Sequence, residues 1–490
     1  MIRNFFILFS IIIIFSTCRQ ENLINNSNSL NLQFSNDTIM FDTIFTSIGS
    51  TTKELMVYNN NNFDITANIK ISGSSEGHFR MNIDGEPGNN QKEVLIRAKD
   101  SIFIFLEVTI DPNQQNTPYL VSDSIIFSVG ENNRTVKLIA YGQDAYFHTA
   151  NKTGYIINGN DTTLFPYHEI DCNETWSSDK PHVIYGYVIV DPGCELNINA
   201  GTTVYLHKNS GIIVGNPFSN LSGGSIKVNG ELGNEVTFRG DRLDPWYDSI
   251  PGQWDRIWLY PGSLNNEFNY VNFQNGTIAI HADTIGNNSP TAIINNCKID
   301  NMSAIGILGQ GTHLEVNNCI ITKCGQYSIV CNIGGKYKFK HCTFANYWNF
   351  DNRNTPSILL NNFYEGANGN TYIRDLEEVY FVNCIIDGNL STEISFQENQ
   401  NGLFNFTFDH CLIKIDPETD TESANYINIQ KNKDPNFRNK KLFDFHLSSE
   451  SICNNAGDQN ITQSESILFT DLEGKTRINP PDLGAYEDNN

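Results

Sequence analysis

Short apolar runs separated by polar bends dominate the chain from about residue 183 onward, and their spacing defines its elements. Val188–Val190, Leu196–Ile198, Val204–Leu206, Ile212–Val214, Ile226–Val228 and Val236–Phe238 read as short strands, punctuated by Gly193, Gly201, Gly211, Gly215 and Gly230. Further on a column recurs in the order apolar, any, Asn or His, Cys or Phe. Its members are Tyr270–Phe273, Ile294–Cys297, Val316–Cys319, Phe339–Cys342, Leu360–Phe363, Phe381–Cys384 and Phe408–Cys411. The last residues of successive members lie 24, 22, 23, 21, 21 and 27 positions apart by subtraction. A repeat this short has no room for a helix in every unit, so each unit is one coil of a solenoid that buries its apolar face by stacking. Three short strands plus bends fill the step. The expectation is an all-β chain with a right-handed parallel β-helix over residues 183–455.

In such a coil the Asn sits in a tight bend, tolerates the left-handed conformation and can pair with the Asn of the next coil. Asn272, Asn296, Asn318, Asn362 and Asn383 are the expected ladder, with His341 and His410 in the same slot. The residue after each turns inward, where Cys serves as a small buried hydrophobe. Cys297, Cys319, Cys342, Cys384 and Cys411 are therefore expected as free thiols, and Cys172 with Cys194 is the one pairing to consider. His341 and His410 stand three coils apart in this reading, roughly 14 Å at ~4.8 Å per coil, too far to share an ion.

Upstream the period changes to two. Glu54–Tyr58, Ile65–Ile71, Phe79–Ile83, Val94–Ala98, Ile102–Ile110, Ser124–Val129 and Thr135–Tyr141 alternate between Gly, Asn and Pro turns. Residues 35–142 thus predict an immunoglobulin-like β-sandwich. Residues 143–182 read as a linker and a cap over the open end of the coils, and residues 456–490 as a C-terminal tail or second cap.

The amino terminus carries a targeting pattern. Arg3 precedes an apolar core, Phe5 to Phe15, followed by Ser16–Thr17–Cys18. Residues 1–18 resemble a bacterial lipoprotein signal with Cys18 as the acylated first residue, though Phe15 and Thr17 depart from the usual Leu and small residue. A plain secretory peptide is the alternative. Residues 19–34, rich in Asn and Ser, read as a flexible tether. With 32 Lys+Arg against 55 Asp+Glu the formal charge is −23, which disfavours nucleic acid as a partner. There is no Cys-x-x-Cys pair, no clustered His and no nucleophile or phosphate-loop motif, so neither a metal nor a cofactor is expected.

The densest group of chemistry-bearing residues is Asp241, Arg242, Asp244, Trp246, Tyr247, Asp248, Trp254, Asp255, Arg256 and Trp258. Aromatic faces stack on sugar rings, and Asp or Arg grips hydroxyls and uronate carboxylates. Asp241, Arg242, Trp246, Tyr247, Trp254 and Trp258 are the ligand-binding candidates. A glycosidase would need two carboxylates ~5–10 Å apart, for which Asp244, Asp248 and Asp255 are available, and a lyase could enlist Arg256. A self-packed loop has the same composition. Asp–Ser/Thr–apolar triplets also recur, at Asp37, Asp42, Asp100, Asp123, Asp248 and Asp283. They resemble an O-glycosylation signal of exported Bacteroidetes proteins and equally fit ordinary turn chemistry.

Two stretches carry a wider resemblance. Asp471–Leu472–Glu473–Gly474–Lys475–Thr476–Arg477, followed by Asp482–Leu483–Gly484–Ala485–Tyr486–Glu487, resembles the ending of choice-of-anchor Q proteins among Bacteroidetes surface lipoproteins. The run Lys180–Val190, with Asp241–Leu243 and Gly252–Trp254, is similar to the body of that group. The resemblance implies an outer-membrane, lipid-anchored protein exposed at the cell surface, with a β-helix presenting a face to a glycan or a surface protein. It implies no activity. A polysaccharide lyase or glycosidase on the same scaffold is the alternative.

Overall fold

A computed structural model describes residues 32–73, 77–112, 118–158, 161–285, 289–366 and 369–488. The expected leader with Cys18, and residues 19–31 of the expected tether, lie outside the described residues; the last tether residues, Leu32–Phe34, form a strand instead. Among those described, no helix is long and apolar enough to cross a membrane. The chain divides into two compact units, Met1–Asp144 and Ala145–Asn490.

The first unit is two five-stranded sheets around one apolar core. One contains Leu32–Phe34, Lys53–Asn59, Asp100–Val108, Phe79–Ile83 and Glu86–Pro87; the other contains Thr38–Phe45, Asn132–Gln143, Tyr119–Val129, Ile65–Ile71 and Asn90–Ile96. Alternation does the sorting: Ile102, Ile104, Leu106 and Val108 are buried, while Phe103 and Phe105 between them face outward. Thr38–Phe45 escapes a period-two reading because its pairing with Asn132–Gln143 slips by one residue at Asp42, a bulge that breaks the rhythm.

The second unit winds three sheets of eleven, ten and ten strands among the described residues, parallel throughout except for the edge strand Lys152–Asn158. The chain visits them in turn. Val271–Gln274 (sheet A), Ile278–Ala282 (sheet B) and Ala292–Asn295 (sheet C) make one coil, and Lys298–Met302 returns to sheet A beside Val271–Gln274. The core is stacked like on like: Phe339, Phe381 and Phe408 lie ring over ring, 4.4 and 5.0 Å apart. Such pairs contribute ~0.5–1.5 kcal/mol each beyond their burial. Residues 143–182, expected as linker and cap, instead hold the first strands of all three sheets: Tyr146–His148, Lys152–Asn158 with Asp161–Glu169, and Thr175–Trp176.

The corner between sheets C and A holds the column, with two corrections. Asn296, Asn318, His341, Asn383 and His410 all have φ between 48° and 53°. Asn272 does not belong. Phe268 pairs with Ile294, so Tyr270 (φ 47°) fills that corner and Asn272 lies within a strand beside Lys298. Leu360–Phe363 does not belong either, because Ile358–Asn361 is a strand of sheet B. His341 and His410 are accordingly two coils apart, not three. Within the expected slot Asn383 pairs with His341 of the preceding coil at 3.0 Å, and an amide-to-amide ladder runs one residue earlier, in the order Asn317 to Asn295 to Asn269, each step 2.9 Å.

The column cysteines are buried free thiols, each with its Sγ 3.4–3.5 Å from a carbonyl of the preceding coil. Burial pushes the Cys319 and Cys384 thiols up. Cys172 and Cys194 form a disulfide.

The C-terminal segment covers part of the outer face of sheet A. Leu472, Leu483, Ala485 and Tyr486 join Phe437, Phe445 and Leu447 over Ile320, Ala345, Ile385 and Leu412. The corner column anchors it. Asn318 donates to the carbonyls of Ile467 and Thr470 and accepts from Arg477 at 3.0 Å. Asn383 holds Asp458. Arg477 and Glu487 form an ion pair with both side chains fully buried. Gly484 (φ 86°) runs so close that an added Cβ would lie 2.5 Å from Thr343 Oγ1, which is where the Ala485 amide donates.

Candidate functional site

Between Val236–Gly240 in sheet A and Ile257–Leu259 in sheet B the chain leaves the coil as a loop containing the 3₁₀ turn Pro245–Ser249. The loop is braced from below. Asn275 and Asn301, both at φ 62°, occupy the corner between sheets A and B on successive coils. Asn275 donates to the Asp248 carbonyl (3.1 Å), and Asn301 donates to the Ser249 carbonyl (3.1 Å) and to Asn275 Oδ1 (2.7 Å). Gln253 ties the carbonyls of Tyr247 and Ile250 at 2.6 and 2.7 Å. On this support Trp246 is 73% exposed, and the Arg242 guanidinium lies 4.0 Å from the Tyr247 ring centre.

The other sequence candidates separate. Trp254 is core: it is 1% exposed, donates to the Gln274 carbonyl, and packs so closely on Gly276 that a Cβ there would lie 2.5 Å from the indole. It is therefore no ligand contact. Asp241 binds His207 Nδ1 at 2.7 Å, Asp244 pairs with Arg242 at 3.3 Å, and Asp248 with Arg239 at 2.6 Å. Asp255 receives Arg256 through two nitrogens, at 2.9 and 3.1 Å, and the Tyr187 hydroxyl. Each of the four carboxylates thus has its own partner.

Asp255 and Arg256 continue into a network on sheet B. Arg256 Nη1 lies 3.3 Å from His281 Nδ1, and His281 Nε2 lies 2.8 Å from Gln310 Oε1. A guanidinium only donates, so Nδ1 accepts and Nε2 carries the proton. Burial lowers His281 to about 4, consistent with this neutral tautomer. Trp258 stacks on His281 with centres 5.3 Å apart.

Sequence reading missed Arg239, Gln253, Asn275, Asn301, His281 and Gln310. A second column was the available signal, since Asn275 and Asn301 stand 26 residues apart at the same strand end. Of the triplet hydroxyls, Ser249 is exposed, whereas Thr284 is buried and donates to the Tyr260 carbonyl. Thr38 and Thr43 lie within a paired strand.

Asp409, His410 and Asp458 are the one group among the described residues that places three ligand atoms within 4.8 Å. Both ring nitrogens of His410 are engaged, by Asp409 (2.7 Å) and Asn428 (3.1 Å). The trio reads as part of the corner packing.

No protein-family profile matches the chain, and no curated protein does. Solved structures match it in part. A family 123 glycoside hydrolase from Clostridium perfringens aligns at 9% identity over 24% of this chain and 30% of its own, with a TM-score of 0.19. A protein of unknown function from Porphyromonas gingivalis aligns at 11% identity over 28% and 78%, with a TM-score of 0.18. A PapD-like domain of human CEP192 aligns at 11% over 26% and 95%, also at 0.18. The chain spans under a third of the hydrolase, and likenesses this slight carry no argument about function.

Proposed function

We propose that this is a non-catalytic, lipid-anchored protein of the outer-membrane surface whose coil loop binds carbohydrate. In this reading the first unit is an immunoglobulin-like sandwich and the second a right-handed parallel β-helix, the hand that parallel crossovers almost always take. Acylated Cys18 tethers it. The resemblance of its two sequence stretches to choice-of-anchor Q lipoproteins supports the anchor and the address.

One observation carries the binding reading: Trp246 is held 73% exposed on a loop whose carbonyls are tied by Gln253, Asn275 and Asn301. A large aromatic kept in water on a rigid support costs little ordering entropy when a sugar ring covers it. The Arg242–Tyr247 stack adds a donor for hydroxyls or carboxylates. Pairing of each carboxylate with its own partner favours binding over general-acid chemistry, which needs a carboxyl free to exchange its proton.

A glycan array probed with the chain from residue 19 onward tests this. Burying the indole contributes about 1.5–3 kcal/mol, so Trp246→Ala weakens binding roughly ten- to 150-fold with an unchanged circular dichroism spectrum. Undiminished binding by that variant would sink the assignment.

A further inference from the structure

A cleft of about 430 Å³ lies on the outer face of sheet A, lined by none of the loop residues 241–258. It exists because that face changes character along the stack. Ile320, Ala345, Ile385 and Leu412 are apolar and lie under the C-terminal segment. One and two coils earlier the same outward positions are Lys298 and Asn272, with Asp300 and Gln274 in the next column. Phe443, Phe445 and Tyr486 form a wall there, and the polar side chains form the floor.

The floor has unused hydrogen-bonding capacity. Asn272, Gln274 and Lys298 are half-buried, and their side chains have no hydrogen-bond or ion-pair partner among the described residues. Neighbouring strands put such groups ~4.8 Å apart across the sheet and ~6.6 Å apart along a strand, a spacing that spans one sugar ring. Asp300, in contrast, is saturated by Lys323 (2.9 Å) and Thr322 (2.6 Å). Lys323 in turn lies over the Phe443 ring at 4.6 Å. The net result is one unpaired cation beside two amides, under an aromatic wall.

We propose that this cleft binds a sugar residue carrying a carboxylate. Lys298 meets the acid, the Asn272 and Gln274 amides read ring hydroxyls, and Tyr486 with Phe443 flank the apolar ring edge. Glu235 at the rim disfavours more highly charged anions such as phosphate. Tyr486 in the wall belongs to the same C-terminal motif that fastens the segment, so the clasp also shapes a site.

Titration calorimetry with trigalacturonic acid and its methyl ester, on the chain from residue 19 onward, tests the proposal. The acid should bind at least tenfold tighter than the ester. Lys298→Met should bring the acid to the ester's level, and Gln274→Ala should weaken both ligands. Trp246→Ala should leave acid binding unchanged, so failure of the loop reading and failure of this one are separable. Equal affinity for acid and ester, no binding of the acid, an unaffected Lys298→Met variant, or loss of acid binding in Trp246→Ala would each overturn it.

Discussion

Replacing Arg477 with Met attacks the clasp at its centre. The guanidinium donates to Asn318 Oδ1 and the Gly484 carbonyl at 3.0 Å each and pairs with Glu487 at 3.3 Å, with both charged side chains fully buried. Removing one partner of a buried pair costs about 3–5 kcal/mol, because the other charge stays buried. At about 1.4 kcal/mol per factor of ten, docking of residues 467–488 weakens by roughly two to three and a half orders of magnitude. Amide hydrogen exchange by mass spectrometry reads this directly, since the segment can open without unwinding the coils. Peptides from Thr203 to Leu206, in an early coil, serve as the unchanged control. The pH dependence has a definite sign. Burial raises both Glu487 and Asp482 above their ordinary values. A raised folded-state value means that docking is favoured by protonation and that this contribution is lost as pH rises through that value. Arg477 pulls both carboxyls down, so without it they rise further and acid helps the variant more than the wild type; its deficit should be largest at neutral pH and shrink with acid. An acceleration under about tenfold at pH 7, or a deficit that grows with acid, would refute the reasoning.

Thiol titration of the denatured, unreduced chain from residue 19 should find the eight free cysteines of the coils and C-terminal segment, and two more after reduction. Cys319→Val, which nearly keeps volume and apolarity, should fold at a cost below ~1.5 kcal/mol by chemical denaturation. His148 and His182 share a 2.9 Å hydrogen bond and stack on Trp176 in the first coil, and burial lowers them to about 3 and about 4. Their neutral forms stabilise that coil above the unfolded value of 6.5, so exchange protection of residues 146–184 should fall as pH drops from there toward 3. Cys18→Ser should move the protein from membranes to a soluble fraction, through loss of acyl chains that each bury ~0.8 kcal/mol per CH₂. Retention after a salt wash would count against the anchor.

The coils were legible because stacking repeats a local pattern: Phe339, Phe381 and Phe408 recur at one strand end, and a Cys follows each corner. The errors came where local chemistry mimics the pattern. Asn272 stands two residues after an apolar residue, as Asn296 does, yet the register places it on an open strand face, and only strand pairing separates the two. Asn361–Asn362 mimics a corner in another sheet because a hairpin, Phe363–Glu365 with Thr371–Ile373, interrupts that coil. The candidate site was visible as composition, not as geometry. Three of its Trp look alike in sequence, but Trp254 is buried beneath the loop, Trp258 is stacked on sheet B and Trp246 alone is largely exposed. Long-range partners made the difference. Asn275 and Asn301 brace the loop from one and two coils away, and Asn318 meets Arg477 across 159 residues.

Incubating the wild-type chain with its strongest array ligand, then measuring occupancy and ligand mass together, tests the central claim most directly. The account predicts a saturable complex that releases the glycan at its original mass. Shortened or unsaturated product that Asp244→Asn, Asp248→Asn or Asp255→Asn abolishes would contradict it.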